Sequence, residues 1–141
     1  GMDVGWNLQG CPFYAGDVAY RTRVLVEEVA SGDYYVRLNR WNGAVAKVVV
    51  NGRSIGHIYR RPWECRITPA LKNGENVIEV VVTGTPKNLL GPHHAGTMRG
   101  SAWPHAFAQG PKEGPPPGAA YDTVSYGLFE PFEVLVRTAA D

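Results

Sequence analysis

The sequence predicts an all-β fold, an antiparallel β-sandwich, from three observations. The 141 residues include 17 glycines and 11 prolines, a composition typical of short strands separated by turns. Polar and apolar residues alternate with period two in several segments, as they do in strands with one buried face. Charged residues make up only 19% of the chain, which excludes a coiled coil or a long solvated helix.

The length of the chain indicates one domain. A chain of 141 residues buries about two thirds of its unfolded surface on folding, enough for one self-sufficient core. We therefore expect residues 1–141 to form a single β-sandwich. Gly1 and Met2 resemble the remnant of a protease cleavage site, so this domain is expected to come from a larger multidomain protein.

The charge balance disfavours two classes of partner. Lys and Arg number 14 against 13 Asp and Glu, a net charge of +1, whereas nucleic-acid-binding domains are strongly basic. No apolar run approaches the ~18 residues that a membrane-spanning helix needs. Nucleic acid and membrane are therefore not expected as partners.

Strands are predicted in order along the chain. The first is residues 17–27, in which Val18, Tyr20, Val24 and Val26 share the apolar face with Thr22. Asn51-Gly52 is typical of a type I′ turn, so the segments on either side of it should form a hairpin. Further strands are expected at residues 34–38, 45–50, 55–58, 63–67, 76–83 and 132–137.

Two non-strand segments are predicted as well. Residues 69–74 fit one helical turn that ends at Gly74. Residues 84–120 hold 7 of the 11 prolines, 7 of the 17 glycines and 3 of the 4 histidines, which indicates a long loop. The last strand lies far from the first in sequence, an arrangement that suits a jelly roll in which the terminal strands pair.

The stretch from Ala46 to Val80 resembles the galactose-binding-like jelly-roll domain of family 2 and related glycoside hydrolases. The likeness is carried by a strand that ends in Asn51-Gly52, by Gly56, by Tyr59 with Pro62-Trp63, by Ile67-Thr68, and by Leu71-Lys72-Asn73-Gly74-Glu75-Asn76 before a Val- and Ile-rich strand. Residues 88–94, Asn-Leu-Leu-Gly-Pro-His-His, are similar to a segment in the C-terminal sandwich domains of uncharacterised bacterial glycosidase-like proteins.

The resemblance implies a function without catalysis. In such enzymes this module packs beside a separate catalytic barrel and sometimes lends a loop to the active site. It implies a glycoside hydrolase as the parent protein, secreted, periplasmic or at the cell surface, with the catalytic domain of the same chain as the partner. The barrel's catalytic residues have no counterparts in this sequence, so no catalytic residue is expected here.

Aromatic and arginine residues give a candidate carbohydrate site. Trp and Tyr rings pack on the C–H faces of sugars, and guanidinium groups donate paired hydrogen bonds. The candidates are Arg40, Trp41, Tyr59, Arg61 and Trp63. The alternative is that both Trp side chains belong to the core or its rim. The arginines at positions 37, 40, 53, 60, 61 and 66 form either a solvated sheet face or a surface for uronic acids or an acidic partner.

The long loop offers a second set of candidates. Asn88, His93, His94, Trp103 and His105 are expected to contact a neighbouring domain or its substrate. A metal site is not expected there, because consecutive residues of an extended segment point to opposite sides. No cofactor is predicted, although the sequence leaves open a structural calcium ion held by Asp17, Asp33 or Asp122.

Other chemistry finds little support in the sequence. Glu64, Glu79, Glu113 and Glu130 form no recognisable acid–base pair. Ser101, His105 and Asp122 lack a Gly-x-Ser-x-Gly motif. Cys11 and Cys65 are expected to be free, partly buried thiols rather than a bridge. The alternatives kept open are a genuine carbohydrate-binding module and a small enzyme or metal protein that uses the His-rich loop.

Overall fold

The structure, a computed structural model, describes residues 4–90 and 121–138. These residues contain nine strands and one short α-helix, α1, at Lys87–Leu90. The strands are β1 (Asp17–Val26), β2 (Asp33–Arg37), β3 (Trp41–Asn42), β4 (Val45–Val50), β5 (Arg53–Ile58), β6 (Glu64–Arg66), β7 (Gly74–Thr83), β8 (Gly127–Leu128) and β9 (Glu133–Arg137). Short 3₁₀ turns lie at Trp6–Leu8, Val29–Ser31 and Thr68–Ala70.

The larger sheet has four strands in the order β1-β7-β4-β5, and all of its pairs are antiparallel. β1 and β7 pair along their whole lengths, from Asp17 opposite Thr83 to Val26 opposite Gly74. β4 and β7 occupy the centre, and their residues alternate between fully buried and partly buried positions. β1 therefore lies at one edge of this sheet and β5 at the other.

A three-stranded antiparallel sheet, in the order β6-β2-β9, and a short β3-β8 ribbon complete the described strands. One hydrophobic cluster contains Val36 and Leu38 from the β2 region, Leu128 from β8, and the inward residues of β4 and β7. Since both sheets contribute to one core, the predicted antiparallel β-sandwich is confirmed. No helix in the described ranges is long and apolar enough to cross a membrane.

The hairpin predicted at Asn51-Gly52 is present. Both residues have positive φ angles, 51° and 81°, as a type I′ turn requires. β4 and β5 pair antiparallel on either side of it, with a register shift between Val48 and Val49. Asn tolerates the left-handed conformation and Gly adopts it without a steric cost, which explains why this dipeptide closes the hairpin here.

The predicted turn at residues 69–74 is present in shorter form. A 3₁₀ turn covers Thr68–Ala70, and the chain is already extended at Leu71. The expectation that Gly74 ends a helix was wrong, because Gly74 is the first residue of β7 and has a φ of 97°. This left-handed residue instead opens the strand.

Two expectations about the second half of the chain need correction. β1 pairs with β7 in the four-stranded sheet, whereas β9 pairs with β2 in the other sheet, so the terminal strands do not pair. The first residues of the predicted loop 84–120 contain α1 and are packed against the fold, since Gly84 and Asn88 are buried. Residues 91–120 lie outside the described part of the chain.

Candidate functional site

Trp41 and Trp63 are brought together by two different elements. Trp41 lies in β3 opposite Leu128 of β8, and Trp63 immediately precedes β6. The Leu38 backbone N–H donates to the Trp63 carbonyl at 2.9 Å, which fixes the position of that residue. The two indole rings meet edge to face, with centroids 5.5 Å apart and an interplanar angle of 89°.

Arginine side chains lie over the aromatic rings that follow β5. The Arg61 Cζ atom is 5.8 Å from the centroid of the Trp63 ring, and the Arg60 Cζ atom is 5.8 Å from that of Tyr59. These separations are within the range of a cation–π interaction. Tyr59 is 62% exposed, so a face or edge of its ring is available to a ligand.

Arg40 directly precedes Trp41 and contacts the residues that follow β8. Its guanidinium is 3.5 Å from the Glu130 carboxylate, and its carbonyl accepts a hydrogen bond from the Phe129 backbone N–H at 2.8 Å. The structure thus joins Trp41, Trp63 and Arg61 by direct contacts and places Arg40 and Tyr59 beside them in the chain. We call Tyr59, Arg60, Arg61 and Trp63 the aromatic–arginine segment.

The two Trp side chains also have a structural role. Both are partly buried and pack against the main hydrophobic cluster. The sequence left open whether these residues belong to the core rim or to a sugar site. The packing of Trp41 and Trp63 supports a place at the rim of the core for the buried parts of their rings. Tyr59 is the exposed aromatic residue among the candidates.

Three of the six arginines in the predicted group, Arg37, Arg40 and Arg66, lie beside carboxylates. On the three-stranded sheet, Arg66 donates to Asp33 through Nε at 2.8 Å, and Arg37 donates to Glu133 through Nη2 at 2.7 Å. Hydrogen bonds from these guanidinium groups lower the pKa of both carboxyls. Thr68 contributes to the lowered pKa of Asp33.

A third ion pair crosses the same sheet. Both Glu64 carboxylate oxygens accept from Nη2 of Arg137 at 2.8 Å, and this hydrogen bonding raises the pKa of the arginine. The Arg137 Cζ atom lies 4.4 Å from the centroid of the Tyr35 ring. On this sheet Arg37, Arg66 and Arg137 are therefore each paired with a carboxylate, whereas Arg53, Arg60 and Arg61 of the predicted group have no such ion pair in the described residues.

Asn88 lies inside the fold. Its side chain is fully buried, its Nδ2 donates to the Val124 carbonyl at 2.8 Å, and its Oδ1 accepts from the Val124 N–H at 2.7 Å. Both polar groups are used to hold α1 against the segment before β8. Such burial does not fit the predicted contact of Asn88 with another domain or a substrate.

The remaining loop candidates are His93, His94, Trp103 and His105, and they lie outside the described residues, as do Ser101 and Glu113. In the described ranges, no group of three or more His, Cys, Asp or Glu side chains could hold a metal ion. The three aspartates considered for calcium have protein partners: Asp17 accepts from Thr83, Asp33 from Arg66, and Asp122 lies 3.2 Å from Lys87.

Both cysteines are free, as expected. Cys11 is exposed rather than partly buried, because its turn lies at the surface. Cys65 in β6 is half-buried, and burial raises the pKa of its thiol. Its Sγ would lie only 2.8 Å from a Cβ added at Gly56, so the glycine permits close approach of β5 and β6.

Comparisons with known proteins match this chain to parts of much longer proteins. A Formosa agariphila protein described as a "putative beta-glucuronidase" is 29% identical over 86 residues, which is 59% of this chain and 7% of that protein. The rhamnosidase structure from Novosphingobium sp. PP1Y matches 86% of this chain with a TM-score of 0.56 and 24% identity. No protein-family model matches the chain.

A Bifidobacterium dentium β-glucuronidase structure is 26% identical over 57% of this chain, with a TM-score of 0.47. The chain spans 11% of the rhamnosidase and 14% of this β-glucuronidase. The resemblance to family 2-like glycoside hydrolases is confirmed by the Formosa agariphila relative and, for the fold, by the rhamnosidase structure, and it concerns a small part of those much longer chains.

Proposed function

We propose that this chain is a non-catalytic accessory β-sandwich domain of a glycoside hydrolase and that it packs on the catalytic module of the same protein. The observation that carries the proposal is the combination of a confirmed sandwich fold with matches to only 7–14% of the length of glycosidases. A region of that size in a large enzyme is one domain among several.

The placement of the carboxylates supports a role without catalysis. A glycosidase needs a general acid whose pKa is raised, and a second carboxylate at a defined separation from it. In the described ranges, Glu64, Glu79 and Glu130 lie beside Arg137, Arg21 and Arg40. Each of these carboxylates is thus held by an arginine of the same domain, and none of the three pairs with a second carboxylate within the described residues.

The outer face of the four-stranded sheet supports packing on another module. In β4 and β7 the inward residues are fully buried, whereas Val45, Val49, Val77 and Val81 on the outer face are only partly buried and lie there with Lys47 and Glu79. Apolar residues on both faces of the central strands are typical of a sheet that is covered on both sides. We infer that the catalytic module covers this face.

A hydrolysis assay tests the absence of catalysis. The purified 141-residue protein should not release nitrophenol from nitrophenyl glucuronide, rhamnoside or glucoside above the buffer rate. Turnover that disappears in a Glu64→Gln variant and persists in Glu75→Gln would overturn the proposal. Glu75 is the matched control because it lies in the four-stranded sheet, whereas Glu64 lies in the three-stranded sheet. The Glu75 carboxylate is exposed and lies 3.6 Å from Arg23.

The gene that encodes the chain provides the second test. We expect the sequence beside residues 1–141 to encode alternating strands and helices of a catalytic barrel in the same protein. A reading frame that encodes these residues without any further domain would contradict the proposal, whatever the outcome of the hydrolysis assay.

A further inference from the structure

Two adjacent arginines, Arg60 and Arg61, have no carboxylate partner in the described residues. Six of the nine lie within 4 Å of a carboxylate, at positions 21, 23, 37, 40, 66 and 137. In residues 4–90 and 121–138, Arg53, Arg60 and Arg61 have no such ion pair. Arg60 and Arg61 are exposed neighbours, so two positive charges lie together without a described counter-charge.

The partners of these two guanidinium groups are aromatic rings. Arg60 lies over Tyr59 and Arg61 over Trp63, each with its Cζ atom 5.8 Å from the ring centroid. A guanidinium carries five N–H donors in a planar fork, and a ring contact uses none of them in a strong hydrogen bond. The donors therefore remain available for a planar, charged acceptor such as a carboxylate.

An apolar surface lies beside the free donors. The Tyr59 side chain follows the last residue of β5, and the residue is 62% exposed although its ring is large and mainly apolar. Trp63 packs edge to face against Trp41, with ring centroids 5.5 Å apart, and its carbonyl accepts a hydrogen bond from the Leu38 backbone N–H. The surface thus has one anchored ring and one exposed ring next to two cations.

We propose that the aromatic–arginine segment binds a sugar that carries a carboxylate, a uronic acid residue. The carboxylate accepts hydrogen bonds from Arg60 and Arg61, and the C–H face of the pyranose packs on Tyr59. This proposal rests on the proposed function and adds a ligand class to it. A neutral sugar would use only the ring surface and would leave both cations without a counter-charge.

An NMR titration tests the proposal with the purified protein. Methyl glucuronide should shift the backbone amide signals of residues 57–64 in a saturable way, and methyl glucoside should shift them much less at the same concentration. The affinity for methyl glucuronide should fall as sodium chloride is raised from 50 to 500 mM, since exposed charges are screened. Equal shifts with both sugars, or no shifts with either, would overturn the proposal.

Matched arginine variants locate the site. Arg60→Gln and Arg61→Gln should each weaken glucuronide binding about tenfold or more, because each removes a charge-assisted hydrogen bond. Arg53→Gln makes the same change in charge at the start of β5, roughly 17 Å along the strand from Ile58, and should leave binding unchanged. An equal loss of glucuronide affinity in all three variants would mean that only the net charge of the protein matters. That result would contradict a specific binding site at Arg60 and Arg61.

The Tyr59→Ala variant provides a third measurement. It should lower the affinity for the glucuronide and remove the small response to the glucoside, while the thermal midpoint stays close to that of the parent protein because the ring is exposed. The unsubstituted protein could fail to bind glucuronide while Arg60→Gln weakens association with a catalytic module. That result would indicate that the arginines contact an acidic protein surface, and it would overturn the sugar proposal. That result would leave the accessory function intact.

Discussion

Asn76 is a fully buried polar residue near the start of β7, and each of its side-chain groups has a partner. Its Nδ2 donates to the carbonyls of Lys72 and Gly74, at 2.7 and 3.0 Å. Its Oδ1 accepts from the Lys72 N–H and from Nδ2 of Asn51, both at 2.9 Å. The residue is fully buried and links the turn before β7 to the hairpin turn between β4 and β5.

Replacing Asn76 should destabilise the protein strongly. Asn76→Ala removes four hydrogen bonds made by a fully buried side chain, two of them to the Lys72 backbone, which we expect to cost about 2–4 kcal/mol of unfolding free energy. Urea denaturation measures the loss. Asn42→Ala is the control, because Asn42 is exposed and makes one hydrogen bond, to the Ser125 carbonyl. A loss at position 76 no larger than that at position 42 would contradict this role.

The sequence predicted the Asn51-Gly52 turn but not the role of Asn76. A type I′ turn is determined by the φ angles of two adjacent residues, so the dipeptide alone is informative. The Asn76 network depends on Lys72 and Asn51, which meet only after β7 has paired with β4. The Gly-Glu-Asn pattern gave no indication of which polar side chain would point inward.

At the scale of elements, the three-stranded sheet is joined by ion pairs across its strands. Arg66 of β6 binds Asp33 of β2, and Arg37 of β2 binds Glu133 of β9. The pKa of each carboxyl is lowered by its arginine. In both cases the folded state therefore binds protons less readily than the unfolded state at acidic pH.

This difference predicts the direction of the pH dependence. The stabilisation is fully present above the ordinary carboxyl pKa of about 4 and is lost as the pH falls through the lowered folded-state pKa values. The urea midpoint should therefore decrease between about pH 5 and pH 2. Asp33→Asn should flatten that decrease, whereas Glu75→Gln on the other sheet should retain it. An unchanged slope in Asp33→Asn would contradict the assignment.

The strands were predictable and their partners were not. Period-two alternation placed the inward face of β1 correctly except at Thr22, which is exposed, because the pattern depends on burial alone. Pairing of β9 with β2 depends on the connection between sheets, which the pattern does not encode. In the candidate site, Tyr59 and Trp63 are close in sequence, so their grouping was predictable. The contact of Trp63 with Trp41 and the ion pair of Arg66 with Asp33 depend on strand register, which the sequence pattern does not give.

At the scale of the whole molecule, Trp6 connects the N-terminal segment to Tyr126, the residue before β8. Its ring is 5% exposed, and its centroid lies 5.9 Å from that of Tyr126. Its backbone N–H donates to the Tyr126 carbonyl at 3.1 Å. Gly84 makes room for the indole, since a Cβ there would lie 2.9 Å from Trp6 Cζ2. Residues distant in sequence thus close one end of the core.

Removing this ring should destabilise the whole fold. We expect Trp6→Ala to lower the unfolding free energy by about 3–5 kcal/mol, the usual cost of deleting a large buried aromatic side chain. Leu8→Ala, in the same 3₁₀ turn, should change it by no more than about 0.5 kcal/mol because Leu8 is 67% exposed. Thermal and urea unfolding measure both variants, and equal effects would contradict the anchoring role of Trp6.

The edge position of β1 bears on self-association. This ten-residue strand pairs along one side with β7 and leaves its other backbone edge without a strand partner in the described residues. Such a border could template addition of a second copy and growth of a fibre. Asp17, Arg21 and Arg23 project from the same stretch and are exposed, so an approaching identical strand would need to accommodate or desolvate these charges. We therefore expect these charges to disfavour growth of a fibre from the β1 edge.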